Sequence, residues 1–151
     1  MPMPALPPGM TPGAILKHAR FYPDPESGEM LPKYLLVLAP QTGGDIVFRL
    51  LTSKPHGRQE SPACNHSPPY PSFYLGVLGG ALGSQSWLDL RGIEDYEAGA
   101  FSKHLKQGLM TPNMVLSKPL LCAALACAAA ADDTTQAQER ALRDQRSALN
   151  C

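Results

Sequence analysis

The sequence predicts a mainly β domain, a small and partly open barrel followed by a C-terminal helix, and three observations carry that prediction. Short apolar segments, alternating or continuous, recur between Gly13 and Leu116. Sixteen prolines and 13 glycines punctuate the chain, a count that suits turns between strands better than a helical bundle. After Pro119 the composition shifts to alanine and other good helix formers. A meander of strands has exposed edges, and curling into a partly open barrel is an economical way to remove them.

Residues 1–12 are proline-rich, with little periodic apolar content, and are expected to form a flexible arm. The segment "GAILKHARFY" alternates as a strand, with Ile15, Lys17, Ala19 and Phe21 on one face and Leu16, His18, Arg20 and Tyr22 on the other. "PDPESGE" is turn chemistry. "KYLLVLAP" is a continuous apolar run, "QTGG" turns the chain, and "DIVFRLLT" repeats the strand pattern. These three strands form an antiparallel meander. Ser53–Ser72 has almost no periodicity and reads as a long loop, either mobile or functional. "FYLGVLGG" and "QSWLDLRG" are further strands, "EDYEAGAFSKHL" a short turn or helix, and "TPNMVLSKP" a last short strand. The expected core includes Ile15, Leu36, Val37, Ile46, Phe48, Leu50, Trp87 and Leu88.

The barrel domain with its packed helix is thus expected over residues 13–131. Pro119 opens that helix, and Leu121, Leu125 and Ala128 give it one apolar face. Residues 132–151 are mostly polar and are expected to form an exposed helical tail.

The chain of 151 residues is 44% hydrophobic and 17% charged, enough for one domain with a sizeable core. Thirteen basic residues balance 13 acidic ones, so any contact with nucleic acid has to be local rather than carried by a bulk basic field. No apolar run approaches the ~18 residues of a membrane span. The start "MPMPALPPGMTPG" lacks the charged-then-apolar pattern of a secretory signal. The expectation is a cytoplasmic protein, away from membranes, with Cys64, Cys122, Cys127 and Cys151 reduced.

Several chemistries are weak on their spacing. "GVLGGALGS" lacks the Lys-Thr/Ser ending of a phosphate loop. Cys64 and His66 are two residues apart, and His56, Cys122 and Cys127 supply no zinc-type spacing to complete them, so no metal and no cofactor are expected. No GxSxG elbow is present for a serine nucleophile. The stretch "LLTSKP" is different. Lys33 begins one strand, and Thr52, followed by Ser53, ends its antiparallel neighbour, so Lys33 and Thr52 should meet at one end of the sheet beneath the Asp24–Glu29 loop. A cation beside two hydroxyls suits a phosphodiester. An ordinary polar strand end has the same composition.

The run "PGAILKHARFY…GEMLPKYLLVLAP…GDIVFRLLTSKP" resembles the N-terminal half of the PemK/MazF-like toxin family, over roughly the first third of the chain. That resemblance implies an SH3-like barrel. It also implies metal-independent cleavage of single-stranded RNA by transesterification, a homodimer, and an antitoxin partner. Lys33 stands where the family has arginine, and Thr52 and Ser53 where it has its Thr-Ser. The resemblance assigns Lys33 to charge stabilisation and Thr52 to positioning a phosphate oxygen. His18 and His56 are the nearby imidazoles that could move a proton. Lys33 is followed by Tyr34 rather than the family's proline, and lysine lacks arginine's two-pronged grip on phosphate. A second expectation follows from those departures: an SH3-like module that binds protein or nucleic acid without catalysis.

Overall fold

The computed structural model describes residues 9–40 and 44–151. The expected arm therefore lies outside the described residues over positions 1–8, as does most of the "QTGG" turn at 41–43. Ten elements follow in order: β1 (Ala14–Pro23), β2 (Met30–Pro40), β3 (Ile46–Thr52), β4 (Cys64–Asn65), β5 (Ser72–Gly76), β6 (Ser86–Asp89), α1 (Ala98–Lys106), β7 (Met110–Val115), α2 (Lys118–Ala129) and α3 (Gln136–Ala148).

The strands form one seven-stranded sheet in the order β4-β5-β6-β3-β2-β1-β7, with every pairing antiparallel. The β1-β2-β3 meander lies at its centre, as its alternation and apolar runs dictate. The run in β2 is continuous because both faces of the sheet are covered. Leu36 and Leu38 join Ile15, Val47 and Leu88 in one core, beneath Leu121, Leu125 and Ala128 of α2. Leu35 and Val37 join Leu16, Ile46, Phe48 and Met110 in the other, which Phe101 of α1 helps to close.

The entry into β1 depends on one glycine. Gly13 has φ +88°, and a Cβ there would meet Leu121 Cδ2 at 3.1 Å. Its N–H donates to the Val37 carbonyl at 2.8 Å, and its own carbonyl accepts from Leu116 N–H at 2.9 Å. It thereby ties the start of β1 to β2 and to the residue after β7. Met10, within the expected arm, is buried in the second core, so order begins before residue 13.

Four expectations need correction. The two-residue alternation of β1 does not run its whole length: the register with β2 shifts between His18 and Tyr22, and Phe21 packs in the same core as Leu16. Two extra residues of β1 are accommodated between these pairs, so Phe21 lies inside the irregular stretch where the pleat is broken, while Tyr22 beyond it pairs with Leu31. The Ser53–Ser72 segment, read as a loop either mobile or functional, contains the short strand β4 and is held down, against the mobile alternative. Arg58 Nη1 donates to the Lys54 carbonyl at 2.9 Å, Trp87 Nε1 to the Gln59 carbonyl at 2.9 Å, and Tyr74 N–H to the Ala63 carbonyl at 2.9 Å.

The tail is docked, not exposed. A capping box between Thr135 and Gln138 starts α3, and Leu142 is fully buried in the first core. Gln138 receives a hydrogen bond from the buried guanidinium of Arg49 on β3 at 3.1 Å and donates to the Ile93 carbonyl and Asp95. Finally, the cysteines are not reduced thiols. Cys64 is joined to Cys127 and Cys122 to Cys151, so one bond ties β4 to α2 and the other ties α2 to the end of the chain.

A cationic cleft and a cysteine–histidine cluster

At one end of the central meander the sheet opens into a cleft of about 270 Å³. The start of β2 supplies Pro32, Lys33 and Tyr34; the end of β3 and the residues after it supply Leu51, Thr52, Ser53 and Lys54. The turn closed by the Gly79–Leu82 bridge, from the glycine-rich "GVLGGALGS", forms a third wall through Ala81, Leu82 and Ser84. The geometry follows from register. Leu35 pairs with Leu50, so two steps further along the antiparallel ladder Lys33 lies level with Thr52. Tyr22, carried into the cleft beyond the β1 bulge, places its ring 5.8 Å from Lys33 Nζ.

Lys33 is half-buried. Burial pushes its ammonium below the ordinary lysine range; Asp89 opposes the shift, and the charges of Lys54, Arg91 and Arg58 add to it. Thr52 Oγ1 accepts from the Lys54 N–H at 3.2 Å and so shapes the chain as it leaves the strand.

Beside Lys54 the cations continue around Tyr70. The Arg58 guanidinium lies 4.7 Å from the Tyr70 ring centroid and that of Arg91 5.5 Å, both within cation–π range. The His56 ring stacks on Tyr70 at 5.7 Å. Arg58 is buried, and among the described residues its Nε has no partner. Arg91 is held by Asp89 through contacts of 2.6–3.1 Å. Burial alone would raise the Asp89 carboxyl, but the hydrogen bonds from Arg91 and the charges of Arg91 and Arg58 hold it below the ordinary range.

The structure thus brings Lys33, Thr52 and Ser53 into one cleft, but its third wall is the Gly79–Leu82 turn and not the expected Asp24–Glu29 loop, which contributes no lining residue among those described. The two candidate histidines are elsewhere. His18 faces Lys33 across the β1–β2 ladder, but its ring is buried edge-on to Phe21 and His104, at 5.3 and 5.9 Å. Burial and then the His104 charge lower its basicity, and its Nδ1 accepts from Arg20 N–H. His56 lies on the Tyr70 rim. Among the described residues the cleft lining contains neither a carboxylate nor an imidazole. Reading by residue type passed over Tyr22, Tyr70, Arg58 and Arg91. Lys54 alone had a signal, since it completes "TSK".

A second cluster lies where β4 meets α2. His66 Nε2 is 3.3 Å from Cys64 Sγ, 3.5 Å from Cys127 Sγ and 2.9 Å from the Cys127 carbonyl oxygen. The partner for Cys64 and His66 that spacing could not supply is therefore Cys127, which the fold brings across 63 residues of sequence.

Fold and site together define an antiparallel sheet domain with a cationic, tyrosine-lined cleft. Comparison with models of protein families, with curated proteins and with solved structures finds no match.

Proposed function

We propose that the cleft and its cationic rim bind single-stranded nucleic acid without cleaving it. The observation that carries this reading is the gathering of Lys33, Lys54, Arg58 and Arg91 around the rings of Tyr22 and Tyr70. Cations that track a phosphate backbone beside aromatic faces that stack on bases are the two parts a single-strand site needs; the exposed ring of Tyr22 in the cleft supplies the face, while Tyr70, covered by Arg58, Arg91 and His56, holds the cations in place. The balanced net charge fits a local site of this kind. The SH3-like barrel belongs to this proposal: the register shifts in the β1–β2, β2–β3 and β5–β6 ladders supply the bends that curling requires.

A toxin-type endoribonuclease acting as a homodimer with an antitoxin is the second reading, favoured by the meeting of Lys33, Thr52 and Ser53. Two observations weigh against it. Transesterification needs a group to take the 2′-hydroxyl proton, and the cleft offers no carboxylate or imidazole among the described residues. Two disulfides suit an oxidising compartment better than the reducing cytosol in which such an enzyme acts.

End-labelled single-stranded RNA incubated with the purified protein separates the readings. The binding reading expects a retarded complex with the RNA recovered intact. Fragments ending in 2′,3′-cyclic phosphate, lost in Lys33→Ala, would replace it with the nuclease; neither complex nor fragments would remove both.

A further inference from the structure

His66 stands against a disulfide with its Nε2 within 3.5 Å of both sulfurs. The three potential ligand atoms, two sulfurs and one ring nitrogen, all lie within 4.8 Å of one another. We infer that Cys64, His66 and Cys127 form a redox-gated metal site, a disulfide when oxidised and a Cys₂His site for a zinc-class divalent ion when reduced.

The donor set is the first reason. Two thiolates and one imidazole are ligands that zinc takes at about 2.3 Å and 2.0–2.1 Å, with a fourth tetrahedral position open to water or another donor. Reach is the second. Tetrahedral zinc holds two sulfurs about 3.8 Å apart. The Cα atoms of Cys64 and Cys127 are 5.7 Å apart, so rotation about the Cα–Cβ bonds opens that gap without moving the backbone. The scaffold is the third. Cys64 is paired into the sheet through β4–β5, and Cys127 sits on the buried face of α2, so both ligands stay placed when the S–S bond is gone. The other disulfide, Cys122–Cys151, has no such neighbours: Cys64, His66 and Cys127 are the one group of this kind among the described residues.

The opening reaction is thiol exchange with a small dithiol. Cys64 is half-buried and Cys127 buried, so the thiolate attacks Cys64 Sγ. The S–S bond breaks and its electron pair leaves on Cys127 Sγ, beside His66. The second thiol of the reductant then closes its own disulfide and releases Cys64. The dithiol has lost two electrons and the protein has gained two. Metal uptake then sends the two thiol protons to solvent, and the His66 proton that faces the Cys127 carbonyl shifts from Nε2 to Nδ1 so that Nε2 can ligate.

Cobalt(II) titration of the dithiol-reduced full chain, freed of reductant without air, tests this. One equivalent should give thiolate-to-cobalt charge transfer with the visible bands of tetrahedral cobalt, and zinc should bleach them. The oxidised protein should show neither. His66→Ala should weaken binding by more than the ~10–100-fold that loss of a mere supporting partner causes. Its oxidised form keeps the disulfide, so circular dichroism can verify that it folds. Cys122→Ser should bind cobalt like wild type. The inference is overturned if reduced wild type gives no charge-transfer band, if His66→Ala binds equally well, or if oxidised protein gives the same spectrum.

Discussion

The cleft end of the sheet and its helix-covered side are built by different means. In the cleft, Lys33 and Thr52 meet because two adjacent strands run antiparallel, so a short stretch of sequence and one hairpin fix their distance. On the helix side, the partners are far apart in the chain. Arg49 meets Gln138 across 89 residues, Cys64 meets Cys127 across 63, and Cys122 meets Cys151 across 29. Ladder neighbours can be inferred from pattern. Contacts between layers depend on how helices dock, and local pattern leaves that open. The helix side should therefore govern stability, and the cleft should be open to substitution with little effect on the fold.

Truncation after Asp133 attacks this contrast hardest. It removes the buried Leu142, the partner of Arg49 and the Cys122–Cys151 bond together. Loss of a native disulfide alone typically costs about 2–5 kcal/mol, and burial of a leucine contributes about 1.5–3 kcal/mol. The expected drop in melting temperature is on the order of 10 °C or more. An unchanged melting curve would show α3 to be an ornament.

Gln138→Ala is narrower. It leaves a buried guanidinium without one of its two acceptors, at a cost of about 1–3 kcal/mol in urea unfolding. Gly13→Ala should cost a similar or slightly smaller amount, about 1–3 kcal/mol, from the left-handed backbone and the contact with Leu121.

The smallest effect concerns pH at the cleft rim. Asp89 has its folded pKa held below the ordinary 3.8, so its stabilising contribution is complete above that value and fades as pH falls through the folded one. The melting-temperature gap between wild type and Asp89→Asn should hold steady above about pH 5 and close below about pH 4. A gap independent of pH down to acid denaturation would mean that Arg91 does little for the carboxylate.

Six of the seven strands were legible because periodicity and continuous apolar runs report burial directly; β4, two residues inside the aperiodic 53–72 segment, was not. Lys33 and Thr52, with Ser53 following, were legible together for the ladder reason given above. Arg58, Arg91 and Tyr70 were not, because they come from the aperiodic 53–71 segment and the end of β6, which only the folded sheet brings side by side. The cysteines illustrate the same limit, since four of them allow three pairings and sequence ranks none. The polar look of residues 134–149 misled for a different reason. One buried leucine and one buried glutamine, with Ala141 and Leu149 packed beside them and the Cys122–Cys151 bond at the end, dock a helix whose composition is mostly polar.

The most direct test of the cleft is the salt dependence of single-stranded RNA binding, read by fluorescence anisotropy for wild type and for Lys33→Ala/Lys54→Ala, the two cations that line it. If three or four phosphates are neutralised, the logarithm of the binding constant should fall with the logarithm of salt at a slope of about −2 to −3. The double variant should bind more weakly at every salt concentration and lower the magnitude of that slope by about 1.4, with its far-ultraviolet spectrum unchanged. Equal affinity and equal slope for the two proteins would contradict the assignment of this cleft.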